Sequence, residues 1–118
     1  MSAESILDSV KKLLGSDDYF EPDLIMHINT ALNILTQIGV GPEEGFAISD
    51  NTAVWSDFIG DNVLLNMVKT YVVMRVKLLF DTASDSSYYV EHLRKNCDEI
   101  EWRISATVDY QNKTKEEP

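Results

Sequence analysis

From position 61 to position 117 the chain carries neither glycine nor proline, whereas all five glycines (Gly15, Gly39, Gly41, Gly45, Gly60), together with Pro22 and Pro42, lie in the first 60 residues. Glycine and proline are the strongest interrupters of regular backbone, so the second half is set for long uninterrupted helices and the first half for turns. At 118 residues, 44% hydrophobic and 25% charged, the chain is sized for one domain with its own core. The expectation is an all-α fold, a small four-helix bundle with an irregular connection between helices 2 and 3.

Hydrophobic spacing places the helices. Ile6, Leu7, Val10, Leu13 and Leu14 share one arc of a wheel and Gly15 follows as a stop, which predicts a first helix over 2–14. A second begins near Pro22 and Asp23 and ends at Gly39. Leu24, Ile28, Ala31, Leu35 and Ile38 form its buried stripe, with Asn29, Asn33, Thr36 and Gln37 turned outward. Residues 40–60 break the pattern and read as a short extended piece followed by a helical turn. A connection this long in so small a domain is more often functional than idle. Phe46, Trp55 and Phe58 are placed to tie it to the core.

Residues 61–80 are apolar almost all round and predict a central helix covered on several sides; a strand across 72–78 is the competing reading, because valine is frequent and Met74, Val76 and Leu78 alternate with Arg75 and Lys77. The lack of breakers favours the helix. Four helices cover such a rod incompletely, which leaves part of it for another subunit. The last helix is expected from Ser86 or Ser87 to about position 107, with a seam of Val90, Leu93, Cys97, Ile100 and Ile104 and opposite charges four apart, Glu99 and Arg103 among them. Trp102 falls half a turn away from that seam, among Glu91, Lys95, Asp98 and Glu99. It packs under a neighbouring loop or tail, or it anchors another chain, a role in which tryptophan is enriched. Domain organisation follows as 1–107 for the helical domain and 108–118 for a polar tail without a hydrophobic pattern, unstructured until bound.

Twenty acidic residues against ten basic ones give a formal net charge of -10. There is no Lys or Arg between Leu13 and Val68, while Asp17, Asp18, Glu21, Asp23, Glu43, Glu44, Asp50, Asp57 and Asp61 are all acidic. Such a surface is either solvated charge or one that repels or imitates DNA. Asp17, Asp18, Glu21, Glu43, Glu44 and Asp50 are the candidate DNA-repelling residues. The basic residues form no dense run, so sequence-specific DNA reading is not expected.

Motifs of chemistry are missing: no glycine-rich phosphate loop, no His-Glu-x-x-His, no cysteine pair and no serine elbow occurs. His27 and His92 read as structural or surface residues, Cys97 as a small core residue, and the acidic pairs lack the ligand pattern of a calcium loop. No catalytic residue, cofactor or metal site is expected. The start of the chain has no basic leader, and no apolar run approaches the roughly 20 residues of a bilayer span. Secretion and membrane insertion are accordingly not expected, and a lone cysteine fits a reducing place of synthesis.

Several segments in order carry a resemblance: Ile6-Leu-Asp-Ser-Val-Lys-Lys-Leu-Leu-Gly15, Ile25-Met-His-Ile-Asn-Thr-Ala-Leu-Asn33 leading to Leu35-Thr-Gln-Ile-Gly-Val-Gly-Pro42, Trp55-Ser-Asp-Phe-Ile-Gly-Asp61, Val68-Lys-Thr-Tyr-Val72 through Leu78-Leu-Phe-Asp81, and Glu99-Ile-Glu-Trp-Arg103. Together they resemble the head-to-tail connector (adaptor) proteins of tailed bacteriophages. The resemblance implies a non-enzymatic virion subunit, made and assembled in the host cytoplasm. It further implies a homo-oligomeric ring, dodecameric by analogy, beneath the portal protein. Such a ring extends the DNA channel without binding the passing duplex and receives a stopper or tail-completion protein. Trp102, Tyr110, Arg103, Trp55 and Phe58 are then the candidate subunit or portal interface. The rival function, from another class, is an acidic DNA mimic that occupies a DNA-binding enzyme; an enzyme with an unrecognised site ranks behind both.

Overall fold

In the computed structural model, which describes residues 4–15, 20–60, 63–80 and 87–116, five helices follow one another: α1 (Ile6–Leu14), α2 (Glu21–Gln37), α3 (Trp55–Phe58), α4 (Leu65–Phe80) and α5 (Ser87–Glu116). No strand forms among the described residues. The only extended pairing among them is an isolated antiparallel bridge between Ser5 and Val54. The all-α expectation holds, with the helical turn foreseen after position 54 appearing as α3.

Local chemistry sets the helix ends. The Ser5 hydroxyl accepts a hydrogen bond from the Asp8 amide at 3.2 Å, satisfying one orphan donor at the start of α1. Gly15 closes that helix with a φ of 76° and donates to the Lys11 and Lys12 carbonyls. Pro22 occupies the first turn of α2, with Glu21 and Asp23 at the positive end of the dipole. Asp57 accepts from the Val54 amide at 3.1 Å and so caps α3.

α4 is the centre of the molecule and packs against α1, α2 and α5. It places Val68, Tyr71, Val72 and Val76 in the core with Leu64 just before it, against Ile6, Leu7 and Val10 of α1 and Leu24, Ile28, Ala31, Leu32 and Leu35 of α2. Cys97, Ile104 and Val108 complete the core from α5. The strand reading of 72–78 gives way to helix, because Val68, Val72 and Val76, four apart, fall on one helical face and are buried there, while Asn66, Thr70 and Leu79 are exposed.

Three boundaries differ from the sequence expectation. α1 begins at Ile6 instead of near position 2, with Ser5 as its N-cap, α4 begins at Leu65, leaving Val63 as an exposed turn residue, and α5 runs on to Glu116 instead of stopping near 107. The expected unstructured tail is therefore largely helix. Val108 belongs to the core at 6% exposure, Gly39 leaves room for its side chain, and nothing between 107 and 116 is a helix breaker. Thirty residues at about 1.5 Å each make a rod of about 45 Å, which accounts for most of the 53 Å long dimension of the protein.

Candidate functional site

The connection over 38–60 is irregular but held at three places. Asn29 on α2 donates through Nδ2 to the Ile48 carbonyl at 3.0 Å and accepts from the Ile48 amide at 2.8 Å, replacing a strand partner for that residue. The Ile6 amide donates to the Ala53 carbonyl and the Trp55 amide to the Glu4 carbonyl, which fastens the far end of the connection to the start of α1. Gly41 sits at a φ of 81°, and a Cβ there would lie 2.5 Å from the Phe58 ring, so the chain turns tightly over that aromatic.

Trp55 is fully enclosed. Its indole N–H donates to the Ser9 hydroxyl at 2.8 Å, Ser9 in turn donates to the Ile6 carbonyl, and Lys69 lies over the ring at 5.9 Å. Phe58 is 2% exposed and stacks at a tilt on Phe46. Trp55 and Phe58 are thus part of the protomer's own core and offer nothing to a neighbour, which corrects their place among the interface candidates. A buried indole with a satisfied donor is doing the tying that its position in the connection first suggested.

The opposite situation holds on the outer face of α5. The seam expected there faces α4, with Leu93, Cys97 and Ile104 buried and Val90 and Ile100 half-buried, and the buried Val108 extends it beyond the expected helix end. Trp102 stands on the other side, 68% exposed, and no loop among the described residues covers it. Tyr88 and Tyr110, on the same helix, are also exposed. Arg103, next to Trp102, pairs with Glu99 one turn earlier at 3.3 Å with both side chains mostly in solvent, a contact worth only a few tenths of a kcal/mol. Trp102, Arg103 and Tyr110 therefore share one helix and an exposed setting, apart from Trp55 and Phe58.

Between the seam and that outer face a polar cluster joins α5 to α4. The Tyr71 hydroxyl donates to Glu101 Oε1 at 2.7 Å; Arg75 donates through Nε to the Tyr71 oxygen at 3.2 Å and through Nη2 to Glu101 at 3.1 Å. Burial, reinforced by the Glu101 carboxylate, holds the Tyr71 phenol well above the usual tyrosine range. Burial likewise pushes the Cys97 thiol up to about 11, so it is an inert core group. Sequence reading missed this cluster. The signal for it was an Arg four residues after a Tyr inside the most apolar helix, where an unpaired cation is costly.

Among the acidic candidates, Glu21, Glu43, Glu44 and Asp50 are exposed, while Asp17 and Asp18 lie outside the described residues. Glu21 meets Lys11 at 2.8 Å. Asp50 accepts from the amide and hydroxyl of Thr52, which holds its carboxyl below the usual range. Glu44 lines an open groove of about 820 Å³ between α2 and the connection, floored by Pro22, Ile25, Met26 and Phe46 and edged by Asn29 and Asn33. The sequence reading turned Asn29 outward and overlooked this groove. Met26 was the available sign, an apolar residue off the buried stripe of α2, and it is 56% exposed.

His27 packs edge-on against Phe80 with ring centroids 4.5 Å apart. Among the described residues no group of three His, Cys, Asp or Glu side chains is arranged to hold a metal, and no helix is long and apolar enough to cross a membrane. The arrangement offers surfaces for contact: an aromatic outer face on α5, an apolar groove on α2, and a carboxylate-rich flank whose Glu21 is paired with Lys11.

No curated protein and no solved structure matches the chain. The family model described as phage connector protein does, over residues 6–111. That span takes in α1 to α4 whole and all but the end of α5, so the likeness rests on the entire helical framework, and the protein belongs to the phage connector protein family.

Proposed function

We propose that the protein is one subunit of a ring beneath the portal of a filled capsid, where it lengthens the DNA channel and offers a docking surface to a stopper or tail-completion protein. Family membership supplies the coarser statement, a structural connector role in a phage particle. The finer reading is carried by Trp102. A protomer that encloses Trp55 leaves an equally large indole 68% in water, on a helix with three further exposed aromatic residues, Tyr88, Tyr89 and Tyr110. Large aromatic side chains are the usual anchors of protein contacts, and a cyclic assembly with head-to-tail contacts would cover them.

Charge supports the conduit. The segment from Leu13 to Val68 carries carboxylates and no Lys or Arg, and Glu43 and Asp50 in it are exposed. A wall that neutralised phosphates would release counterions and grip the duplex, whereas an anionic wall lets it slide. The end of α5, carrying Tyr110 and Lys113, is the portal-facing element in this reading. A DNA mimic would use the same carboxylates but has no need of the uncovered α5 face, so the connector is the better account.

The test is incubation of the purified protein with DNA-filled, tailless capsids. Attachment at one vertex followed by tail joining is the expected result; capsids that remain bare and tail-incompetent would remove the proposal. Replacing Glu43 and Asp50 by Lys should increase DNA retention in the assembled particle, and unchanged ejection would take those residues out of the channel wall.

A further inference from the structure

The α2 groove and the outer face of α5 lie on helices that pack on the same central rod, α4, and make little contact with each other. A protomer therefore carries two different, separate, incompletely covered surfaces. The groove has an apolar floor in Ile25, Met26 and Phe46 and a carboxylate, Glu44, as its charged lining residue. From Leu13 to Val68 the chain has no Lys or Arg, and Lys11, which reaches the start of α2, is paired there with Glu21. An occupant that complements this lining brings an apolar or aromatic group with a positive charge beside it, whereas phosphate-bearing polymers and anionic lipid would meet the Glu44 carboxylate unfavourably. The outer face of α5 has that composition: Trp102, 68% exposed, is followed by Arg103, whose solvent-held partner Glu99 is easily exchanged.

We infer that the α2 groove receives Trp102 and Arg103 of the adjacent copy of this chain. The indole lies on Met26 and Phe46, and the guanidinium turns from Glu99 toward the neighbour's Glu44. A contact between two unlike surfaces repeats from copy to copy, and a suitable rotation closes it into a ring. This rests on the ring reading above and adds to it which faces meet. Glu44 then belongs to the subunit boundary, leaving Glu43 and Asp50 for the channel.

Disulfide trapping tests it. Asn33→Cys places a thiol at the groove edge and Ala106→Cys places one a turn from Trp102 on the same helix face; both positions are exposed, and the native Cys97 is buried. The double variant is oxidised both at high concentration in solution and after attachment to capsids. A ladder of dimers, trimers and higher species from the double variant, with neither single variant passing beyond dimer, is the expected result. Dimers from Ala106→Cys alone with no ladder from the double variant would indicate a two-fold α5 contact and overturn the inference. Absence of a ladder in both settings also overturns it, and capsid attachment separates the cases: attachment without the ladder leaves the connector function standing, while failure of both removes the two together. In the trapped assembly Trp102→Ala and Glu44→Arg should each reduce ladder formation about tenfold or more, the loss typical of an interface anchor.

Discussion

The protein has two tryptophans, and they occupy opposite environments. Trp55 opens the four-residue α3 within an otherwise irregular connection and is completely enclosed, with its N–H satisfied by Ser9; Trp102 stands in the longest helix and is 68% exposed. Regular backbone and burial are thus separate properties. The connection over 38–60 lacks a repeating hydrogen-bond ladder, so it is held by specific anchors: the Asn29 pair, the bridge to Ser5, and the enclosed Trp55 and Phe58. α5 satisfies its own backbone and needs only one face for the core, which leaves the other free to meet a partner.

Removing the inner indole gives the largest effect. Trp55→Ala should cost about 3–5 kcal/mol of unfolding free energy, through lost burial and the loss of the donor to the buried Ser9 oxygen, read as a drop in denaturant midpoint. A loss below about 1 kcal/mol would show that the connection is not integrated with the core. Gly41→Ala is next, at about 2–4 kcal/mol, because alanine is strained at positive φ and its Cβ would meet the Phe58 ring. Gly45→Ala, where a Cβ would meet nothing, separates the two causes and should show only the strain.

Alkaline pH sharpens the contrast from the α4–α5 side. Cys97 holds its proton to about 11 in the fold but gives it up near its ordinary value of 9.0 when unfolded. Its contribution is therefore complete below pH 9 and lost as the pH rises toward 11. Tyr71 is shifted in the same direction from 10.0, so its contribution begins to fall above pH 10. Chemical denaturation across pH 8–11 should show stability declining from about pH 9, and Cys97→Ala should delay the onset to about pH 10. The smallest effect belongs to the outer indole: Trp102→Ala should change the stability of the free protomer by less than about 0.5 kcal/mol while impairing capsid attachment. A loss of stability comparable to that of Trp55→Ala would mean that Trp102 serves its own protomer.

Much of the fold was readable in one dimension. The breaker-free half, the 3-4 spacing of Val90, Leu93, Cys97, Ile100 and Ile104, and the stop at Gly15 are local signals, and the structure follows them. The end of α5 was not readable, because residues past 107 lack an apolar pattern of their own and their helix is continued by Val108 packing near Gly39. Asn29 was misread for a similar reason. A polar residue on a helix looks solvent-directed until a distant segment, here Ile48, presents a backbone amide and carbonyl to it.

Sequence alone determined the helical class, the excess negative charge of the first half, and the off-seam position of Trp102. These depend on periodicity and composition, which need no knowledge of distant neighbours. Only the tertiary structure decided which aromatic residues remain available. Trp55 and Phe58 are sealed by contacts with α1, α4 and Phe46, whereas Trp102 meets no such neighbours, and burial is a property of what the rest of the chain brings to a side chain.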